Sequence, residues 1–507
     1  MATVDLLPVP SSSTTRIDSI QTQLPEGTPS FVLGQAHKSY KHQFSNLYFA
    51  RLTFLKKLVE KKAKEKWRGL SGSPPLVPRV LEVVKSELCF VVGTVYMDMS
   101  QKPNVLDDVG RDRYLPAPPP REKYLSSDDA IMLEDESGRL QLVGEALRRS
   151  IDEETSESSW GDLLVTGVIM AALGIETSSG EFEVKDVCFA GMPDMLYRSL
   201  TLGENMKVDG AENDDDWIAF ISGLNIGENS KCDIRRQMLE EYLVGEGGNE
   251  GDTVSKISRL IIVGNSLAPV TELETKPPVA DAGFKAKRFG QESSDFSSAP
   301  TDSLGDFLYG VASGLPVHLL PGETDPSGSL LPQQPLPRAL FGEVKNNEGF
   351  HCETNPVWLG FEGKSQDPQG QYQRSLFVHS GQSLTDMYKY VPSPPTSRLD
   401  LACATLQWRH AAPTAPDTLW CYPYLTTDPF ILHQTPNVLV FGCQPEFASR
   451  LVSSTDLGEQ GDERKCRVVL IPNFEDSGTC VLVNMRNLDV KTIQFGVEGR
   501  LKNVDGS

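Results

Sequence analysis

The C-terminal part of the sequence repeats one local pattern, a short apolar run followed at once by a glycine-containing turn. The runs are residues 217–222, 258–263, 316–320, 375–379 and 438–441. Helical stretches at 231–244 and 284–312 separate the first three. Short apolar runs that alternate with helical segments are typical of an α/β sheet. The sequence therefore predicts an α/β domain over residues 206–507, with a turn at the end of each strand.

A different pattern comes first in the chain. Between residues 43 and 68, apolar side chains recur with a period of about 3.6 residues, which indicates an amphipathic helix. After a break rich in Gly, Pro and Ser, five β-type runs follow without helical spacing between them. They are residues 88–96, 130–133, 140–143, 163–173 and 181–189. Five short strands in series favour a small closed barrel, for which the OB-fold is the common form.

These patterns predict a multidomain α+β protein. Residues 31–205 are expected to hold the amphipathic helix and an OB-fold β-barrel, and residues 206–507 the α/β domain. Residues 1–30 are rich in Ser, Thr and Pro and are expected to be disordered. They show no pattern of a secretory signal, and the longest apolar stretch, 163–173, is far below the roughly 20 residues of a membrane span. We therefore expect a soluble intracellular protein without a membrane partner.

Charge sets limits on the partners of such a chain. With 48 Lys and Arg against 69 Asp and Glu, the net charge is −21, which argues against a general nucleic-acid binder. The end of the predicted helix is the exception, because its seven basic residues are accompanied by only two acidic residues, Glu60 and Glu65. These are Lys56, Lys57, Lys61, Lys62, Lys64, Lys66 and Arg68. Two interpretations stay open: a solvated helix end that suits the helix dipole, or a contact patch for nucleic acid or an acidic partner.

The turns after the strands of the α/β domain resemble the metal-ligand turns of calcineurin-like phosphodiesterases in order and approximate spacing. Those turns carry Asp and His because divalent cations are held by anionic oxygen and neutral nitrogen. Here the corresponding positions are Gly223, Asn225, Asn265, Thr324, Asp325, His379, Cys443 and Pro445. Only Asp325 and His379 keep a ligand residue type, and each also fits a purely structural role at a turn or strand end. The resemblance thus implies a phosphodiesterase-like fold with lost metal ligands, no catalytic residue, and no bound metal or cofactor.

Several longer blocks carry a closer resemblance. They are residues 90–94 and 133–136 in the predicted barrel, and 331–336, 380–382, 386–387, 413–419, 421–423 and 427–430 in the α/β domain. Together with the helix, the barrel and the altered turns, these blocks resemble the B subunits of eukaryotic replicative DNA polymerases, most closely those of the delta polymerase. The resemblance extends from about residue 31 to about residue 495, nearly the whole chain.

The resemblance implies a non-catalytic scaffold that works in the nucleus in DNA replication and repair. Such a protein would bind the C-terminal metal-binding domain of the polymerase's catalytic subunit and connect it to a third, clamp-binding subunit. The catalytic subunit of polymerase zeta is a further partner that the resemblance leaves open. Contact with DNA is expected to be indirect or weak.

Two functions of other classes remain as alternatives. The same fold supports a metal-dependent phosphodiesterase or 3′–5′ exonuclease when its ligands are present. An OB-fold can also bind single-stranded DNA by aromatic stacking in a basic groove. The run 181–186 is poor in basic and aromatic residues, which favours a barrel used for protein contacts.

Overall fold

A computed structural model describes residues 16, 19–34, 38–70, 72–103, 121–150, 159–197, 215–227, 233–246, 251–269, 297–363, 372–459, 461–496 and 502–504. Its helices are α1 Phe44–Lys66, α2 Asp233–Val244, α3 Gly251–Ser255, α4 Ala299–Ala312, α5 Gln382–Tyr388, α6 Arg398–Trp408 and α7 Phe474–Ser477. Its strands are β1 Ser19–Thr22, β2 Leu76–Val77, β3 Leu88–Asp98, β4 Ala130–Glu134, β5 Arg139–Val143, β6 Ile169–Glu176, β7 Phe182–Cys188, β8 Trp217–Ile221, β9 Ile257–Val263, β10 Val317–Leu320, β11 Phe350–Cys352, β12 Val357–Gly363, β13 Tyr372–His379, β14 Val438–Gln444, β15 Ala448–Ser453, β16 Lys465–Pro472, β17 Thr479–Asn484, β18 Val490–Gln494 and β19 Lys502–Val504.

The first domain is a closed barrel covered by α1. Strands β3, β4, β5, β7 and β6 are hydrogen-bonded in that order, and antiparallel pairing of β3 with β6 closes the ring. The prediction of five strands and of an amphipathic helix before them is confirmed. Helix α1 lies on the barrel through a stripe of apolar side chains at helical spacing. The stripe consists of Leu52, Leu55, Val59 and Ala63, which pack against β3 and β6.

The second domain is a sandwich of two sheets. One sheet has the order β1-β12-β13-β14-β16-β15, and the other has the order β11-β10-β9-β8-β17-β18-β19. Their facing sides bury branched and aromatic residues such as Phe220 and Val263 from one sheet and Val378 and Val440 from the other. Strands β8, β9 and β10 are parallel neighbours, as are β13, β14 and β16. Mixed α/β architecture was predicted for this region, and the two sheets agree with it.

Helices and the barrel cover the outer faces of the sandwich. Helices α2 and α4 bury apolar residues against the seven-stranded sheet, where Leu239 and Leu308 are fully buried. On the other side, α5, α6 and the barrel interior belong to one continuous apolar cluster with the six-stranded sheet. The barrel and the sandwich are therefore joined through a shared core.

The expectation of disorder over residues 1–30 is wrong for Ser19–Thr22. These residues form an antiparallel edge strand on β12, in register from Ser19 against Gly363 to Thr22 against Gly360. Arg259 fixes the strand, because its Nη2 donates to the Ser19 carbonyl oxygen at 2.7 Å. The predicted domain boundary at 205/206 lies outside the described residues, as does the part of the predicted second helix from 284 to 296. The division into domains at those numbers stays a prediction.

Candidate functional site

The turns that follow the parallel strands come together at one edge of the sandwich. In the seven-stranded sheet, Gly223 N donates to the Gly264 carbonyl oxygen at 3.0 Å. The turn after β14 arrives from the other sheet, and Cys443 N donates to Ser222 Oγ at 2.8 Å. We call this region the turn cluster, defined as residues 222–227, 264–268, 321–325, 380–381 and 442–445.

Polar side chains of the turn cluster are hydrogen-bonded to the neighbouring turns. The backbone N–H of Asn225 donates to the Asn265 carbonyl oxygen at 3.0 Å, which ties the first two turns together. Asn265 Oδ1 accepts from Thr324 N at 3.3 Å, and Thr324 Oγ1 donates to the Leu267 carbonyl oxygen at 2.6 Å. The structure thus brings Asn225, Asn265 and Thr324 together, as the sequence order predicted, but uses their polar groups to hold the turns.

Asp325 is the buried carboxylate of this cluster. Its Oδ1 accepts from Leu267 N at 2.8 Å and its Oδ2 accepts from Gly322 N at 2.7 Å. Burial raises the pKa of Asp325, and the backbone N–H groups around it oppose that rise. Both carboxylate oxygens accept backbone hydrogen bonds, so this side chain connects the turn after β9 to the turn after β10.

The remaining predicted positions differ in their surroundings. His379 is fully buried, its Nδ1 accepts from Gly381 N at 2.9 Å, and its Nε2 has no hydrogen-bond partner in the described structure. Burial lowers the pKa of His379 to about 3, so the ring is neutral at physiological pH. Cys443 Sγ lies 3.5 Å from the Val263 carbonyl oxygen, and burial raises the pKa of this thiol. Pro445 lies just beyond β14 and is exposed.

The turns approach each other too closely to leave room for larger side chains. Gly264 has φ +82°, and a Cβ placed on it would lie 2.4 Å from Ser380 Cβ and 3.0 Å from Gly322 Cα. Within the described parts of the chain, no group of three or more His, Cys, Asp or Glu is arranged to hold a metal ion. The arrangement can support a rigid edge of the sandwich, and its donors and acceptors are mostly used internally.

The seven basic residues near the end of α1 do not form one patch. Three of them contact other parts of the chain: Lys56 Nζ donates to the Pro78 carbonyl, Lys62 pairs with Glu459 at 2.5 Å and Lys66 pairs with Asp186 at 2.8 Å. Lys57, Lys61, Lys64 and Arg68 are exposed, and the spacing of three or four residues puts the three lysines on one side of the helix, while Arg68 lies in the turn just after it. The structure thus separates four solvent-facing cations from three that attach α1 to the rest of the molecule.

An exposed apolar groove continues this row of cations toward the start of α1. The groove has a volume of about 480 Å³ and lies between the outer side of α1 and the segment around residue 425. Phe49, Phe54 and Leu425 line it and are 49%, 39% and 52% exposed, and Lys57 stands at its border. We call it the helix-face groove. Sequence reasoning missed it because it joins segments more than 370 residues apart.

Exposed large apolar side chains are frequent in the two segments that contribute to this groove. Among the described residues, sixteen large apolar side chains are exposed, and seven of them belong to segments 32–54 and 420–425. These seven are Val32, Tyr40, Phe44, Phe49, Phe54, Trp420 and Leu425. The two segments touch, because the rings of Tyr40 and Tyr422 lie 5.5 Å apart between centroids. Apolar patches of this kind on a folded surface mark interaction sites.

A buried ion pair joins α1 to the segment that follows Leu425. Arg51 Nε donates to Asp428 Oδ2 at 2.8 Å, and the same carboxylate oxygen accepts from His410 Nε2 at 2.9 Å. The Arg51 guanidinium also donates to the carbonyl oxygens of Pro413 and Ala415, both at 2.7 Å. Although burial alone would raise the pKa of Asp428, the Arg51 and His410 partners hold it well below its ordinary value. This network fixes α1 against the segment that forms the other wall of the groove.

In the described part of the barrel, the Tyr96 ring is covered by two cations. Tyr96 on β3 is covered by Lys102 Nζ, 4.4 Å from the ring centroid, and by the Arg139 guanidinium at 4.1 Å. Lys102 pairs with Asp417 and Arg139 pairs with Glu134, so both cations are engaged within the protein. Base stacking on Tyr96 would require displacing them. Among the described helices, none combines the length and apolar character needed to cross a membrane.

Comparison with known proteins agrees with both domains. The family model of the DNA polymerase delta subunit OB-fold domain matches residues 43–187. The family model of the B subunit of DNA polymerases alpha and epsilon matches residues 218–449. The barrel is therefore an OB-fold domain, as predicted.

Full-length relatives give the same result. The DNA polymerase delta small subunit of Arabidopsis thaliana is 33% identical over 458 residues, covering 90% of this chain and 92% of the relative. That of Oryza sativa is 32% identical over 466 residues, covering 91% and 95% of the two chains. That of Saccharomyces cerevisiae is 29% identical over 529 residues and covers 96% of each. Two barrel-and-sandwich domains that match these subunits along nearly their whole length place the chain in the family of DNA polymerase delta small subunits.

Proposed function

We propose that this chain is a non-catalytic scaffold subunit of DNA polymerase delta in nuclear DNA replication and repair. It binds the C-terminal metal-binding domain of the catalytic subunit and connects it to a third, clamp-binding subunit. One observation carries the proposal. At the edge of the sandwich where a phosphodiesterase would hold its metal ions, Asp325, Asn265 and Thr324 are engaged in hydrogen bonds between turns.

The proposal treats the sandwich as a phosphodiesterase-like domain that has lost its metal ligands. Support comes from Gly223 and Asn225 on the first turn and Cys443 and Pro445 on the last, which supply no carboxylate or imidazole. A rigid α/β frame without its chemistry still provides a large binding surface, since function depends on the site and not on the fold. The exposed helix-face groove is consistent with such a role.

Co-expression with the catalytic subunit of the same organism's delta polymerase tests the proposal. We expect the two chains to co-elute in size-exclusion chromatography at micromolar concentration, and the complex to depend on the catalytic subunit's C-terminal domain. Separate elution of the two chains would refute the scaffold role.

The nuclease alternative is tested on the same preparation. Elemental analysis after incubation with Mn²⁺ and a 3′–5′ exonuclease assay would be run on the purified chain, with Asp325→Ala as the matched variant. We expect no exonuclease turnover by the wild-type chain that is lost in the Asp325→Ala variant. Stoichiometric manganese together with Asp325-dependent turnover would replace the scaffold proposal by the exonuclease function.

A further inference from the structure

The outer side of α1 is divided into an apolar half and a basic half. Asn46, Phe49, Ala50, Thr53 and Phe54 face the groove at the start of the helix. Lys57, Lys61 and Lys64 continue the same side, the last two at the i+4 and i+7 positions from Lys57, and Arg68 follows in the turn after the helix. With about 1.5 Å of rise per residue, Phe49 lies roughly 12 Å from Lys57 and roughly 22 Å from Lys64 along the axis. One surface therefore presents apolar pockets first and positive charge two to four turns later.

The groove is a shallow channel, and a partner segment can lie along it. It is bounded on one side by α1 and on the other by Leu425 and Thr426, and it is open to solvent along its length. Helix-in-groove recognition inserts apolar side chains spaced three or four residues apart into such a channel. Phe49 and Phe54 are aromatic anchors that lose exposed apolar area only when a partner covers them.

Charge selects the partner's chemistry. The chain carries a net charge of −21, so most of its surface repels acidic segments. The row Lys57, Lys61, Lys64 and Arg68, even with Glu60 and Glu65 on the same turns, is a local excess of positive charge directly beyond the groove. A partner segment whose Asp or Glu residues follow its apolar anchors is attracted by this basic row. A neutral or basic segment is not.

An ion pair and hydrogen bonds connect the two walls of the groove and hold them rigid. The Arg51–Asp428 pair and the Arg51 bonds to Pro413 and Ala415 join α1 to the chain that leads to Leu425. A second tie runs from Ser39 N to Tyr422 Oη at 2.7 Å. The two walls therefore keep their separation before binding, which lowers the entropic cost of association.

We propose that the helix-face groove and the adjoining row Lys57, Lys61 and Lys64 dock an acidic amphipathic segment of another subunit of the polymerase. The segment places two or more large apolar side chains over Phe49, Phe54 and Leu425 and its carboxylates over the lysines. This inference rests on the proposed function and adds to it the surface and the chemistry of the partner.

The first experiment locates the contact. The photoreactive residue p-benzoylphenylalanine is introduced at Phe49 of the full chain, which is co-expressed with the catalytic and third subunits and irradiated. The matched control carries it at Tyr309, which is 54% exposed on α4 against the other sheet. We expect a crosslink from position 49 to one other subunit, mapped by mass spectrometry to a segment that contains both large apolar and acidic residues. No crosslink from an intact complex, or a crosslink to DNA, to a second copy of this chain or to a segment without acidic residues, would overturn the inference.

The second experiment measures affinity for the subunit identified by the crosslink. The variants are Phe49→Ala/Phe54→Ala for the groove and Lys57→Glu/Lys61→Glu/Lys64→Glu for the row, with Ile234→Ala/Tyr309→Ala as the control pair. We expect each test variant to weaken binding about tenfold or more. The control stays within about twofold, because its side chains lie on an unrelated exposed surface. Only the groove variant should keep the salt dependence of the wild type.

The outcomes separate this inference from the proposed function. If the wild-type chain does not join the other subunits, the proposed function fails. If it joins them and both test variants bind within twofold of the wild type, the function stands and the groove assignment is wrong. Unchanged melting temperatures would show that the substitutions act on the surface and not on folding.

Discussion

The turn cluster and the helix-face groove are built on opposite principles. In the cluster, Asp325 and Thr324 direct their polar groups at neighbouring backbone, and Gly264 allows the turns to touch. In the groove, Phe49 and Leu425 turn apolar area toward solvent without a covering group from the described chain. The turn cluster is closed by its own hydrogen bonds, and the groove is open to solvent. This difference supports the proposal that the chain acts through contacts on its exterior.

Loss of the buried ion pair between α1 and the segment after Leu425 should cost the most stability. Arg51→Met leaves Asp428 charged and buried beside His410, and removal of one partner of a buried pair costs about 3–5 kcal/mol of unfolding free energy. Urea denaturation of the full chain measures the loss. The matched control is Lys102→Met at the more exposed Lys102–Asp417 pair, which we expect to cost about 1 kcal/mol or less. Equal losses for the two variants would contradict a special role for Arg51.

A smaller effect tests how tightly the turn cluster is closed. Gly264→Ala forces a Cβ against Ser380 and Gly322 in a left-handed conformation, and we expect a loss of about 2–4 kcal/mol. Gly180→Ala is the control, because Gly180 has φ +89° and no heavy atom lies within 4 Å of the position that a Cβ would take. Gly180→Ala should lose only the free energy needed to place alanine in a left-handed backbone conformation, about 1 kcal/mol. If both variants lose the same amount in thermal or urea unfolding, the cluster is looser than its close contacts indicate.

Acid should weaken the end of β13, where His379 lies beside the turn cluster. The folded-state pKa of His379 is about 3 because of burial, against an ordinary value of 6.5, so only the unfolded chain takes up its proton between those values. Stability is therefore full above about pH 6.5 and falls as the pH decreases toward 3, by up to about 1.4 kcal/mol per pH unit for this group. His379→Asn keeps an acceptor for Gly381 N and should flatten the decline between pH 6.5 and 4. A variant with the wild-type slope would show that His379 does not contribute to it.

The smallest expected effect on stability lies on the open surface. Lys61→Glu changes an exposed residue of α1 and should shift the unfolding free energy by less than about 0.5 kcal/mol. Lys62→Glu, one residue further, breaks the pair with Glu459 and should cost more. Urea denaturation of the two variants, side by side, shows whether the row Lys57, Lys61 and Lys64 is free for a partner or supports the fold. A larger loss for Lys61→Glu than for Lys62→Glu would contradict the division.

Local sequence patterns were enough to predict much of the fold. The helix expected at 43–68 is found at Phe44–Lys66, and the strand expected at 258–263 is found at Ile257–Val263. Both rest on periodicity or apolar runs, which neighbouring residues determine. Helix α6, Arg398–Trp408, was missed because it is buried on several sides and has no clear amphipathic period. Its capping box from Ser397 to Asp400 was a readable signal.

The candidate site was only partly predictable, because some of its parts depend on contacts between residues that are far apart in the sequence. The order of the turns carried enough information to bring Gly223, Asn265 and Asp325 to one region. The groove depends on the contact between α1 and the chain around Leu425, and on Arg51 reaching Asp428 across 377 residues. The basic row also required the structure, since spacing along α1 does not tell that Lys62 and Lys66 pair with Glu459 and Asp186 while Lys61 and Lys64 have exposed side chains.

Hydroxyl-radical footprinting of the chain alone and in the assembled polymerase shows whether another subunit covers the helix-face groove. The method reports the solvent exposure of individual side chains. We predict that modification of Phe49, Phe54 and Leu425 falls several-fold on assembly, while that of Ile234 and Tyr309 stays the same. Unchanged modification of Phe49, Phe54 and Leu425 in an intact complex would contradict the account.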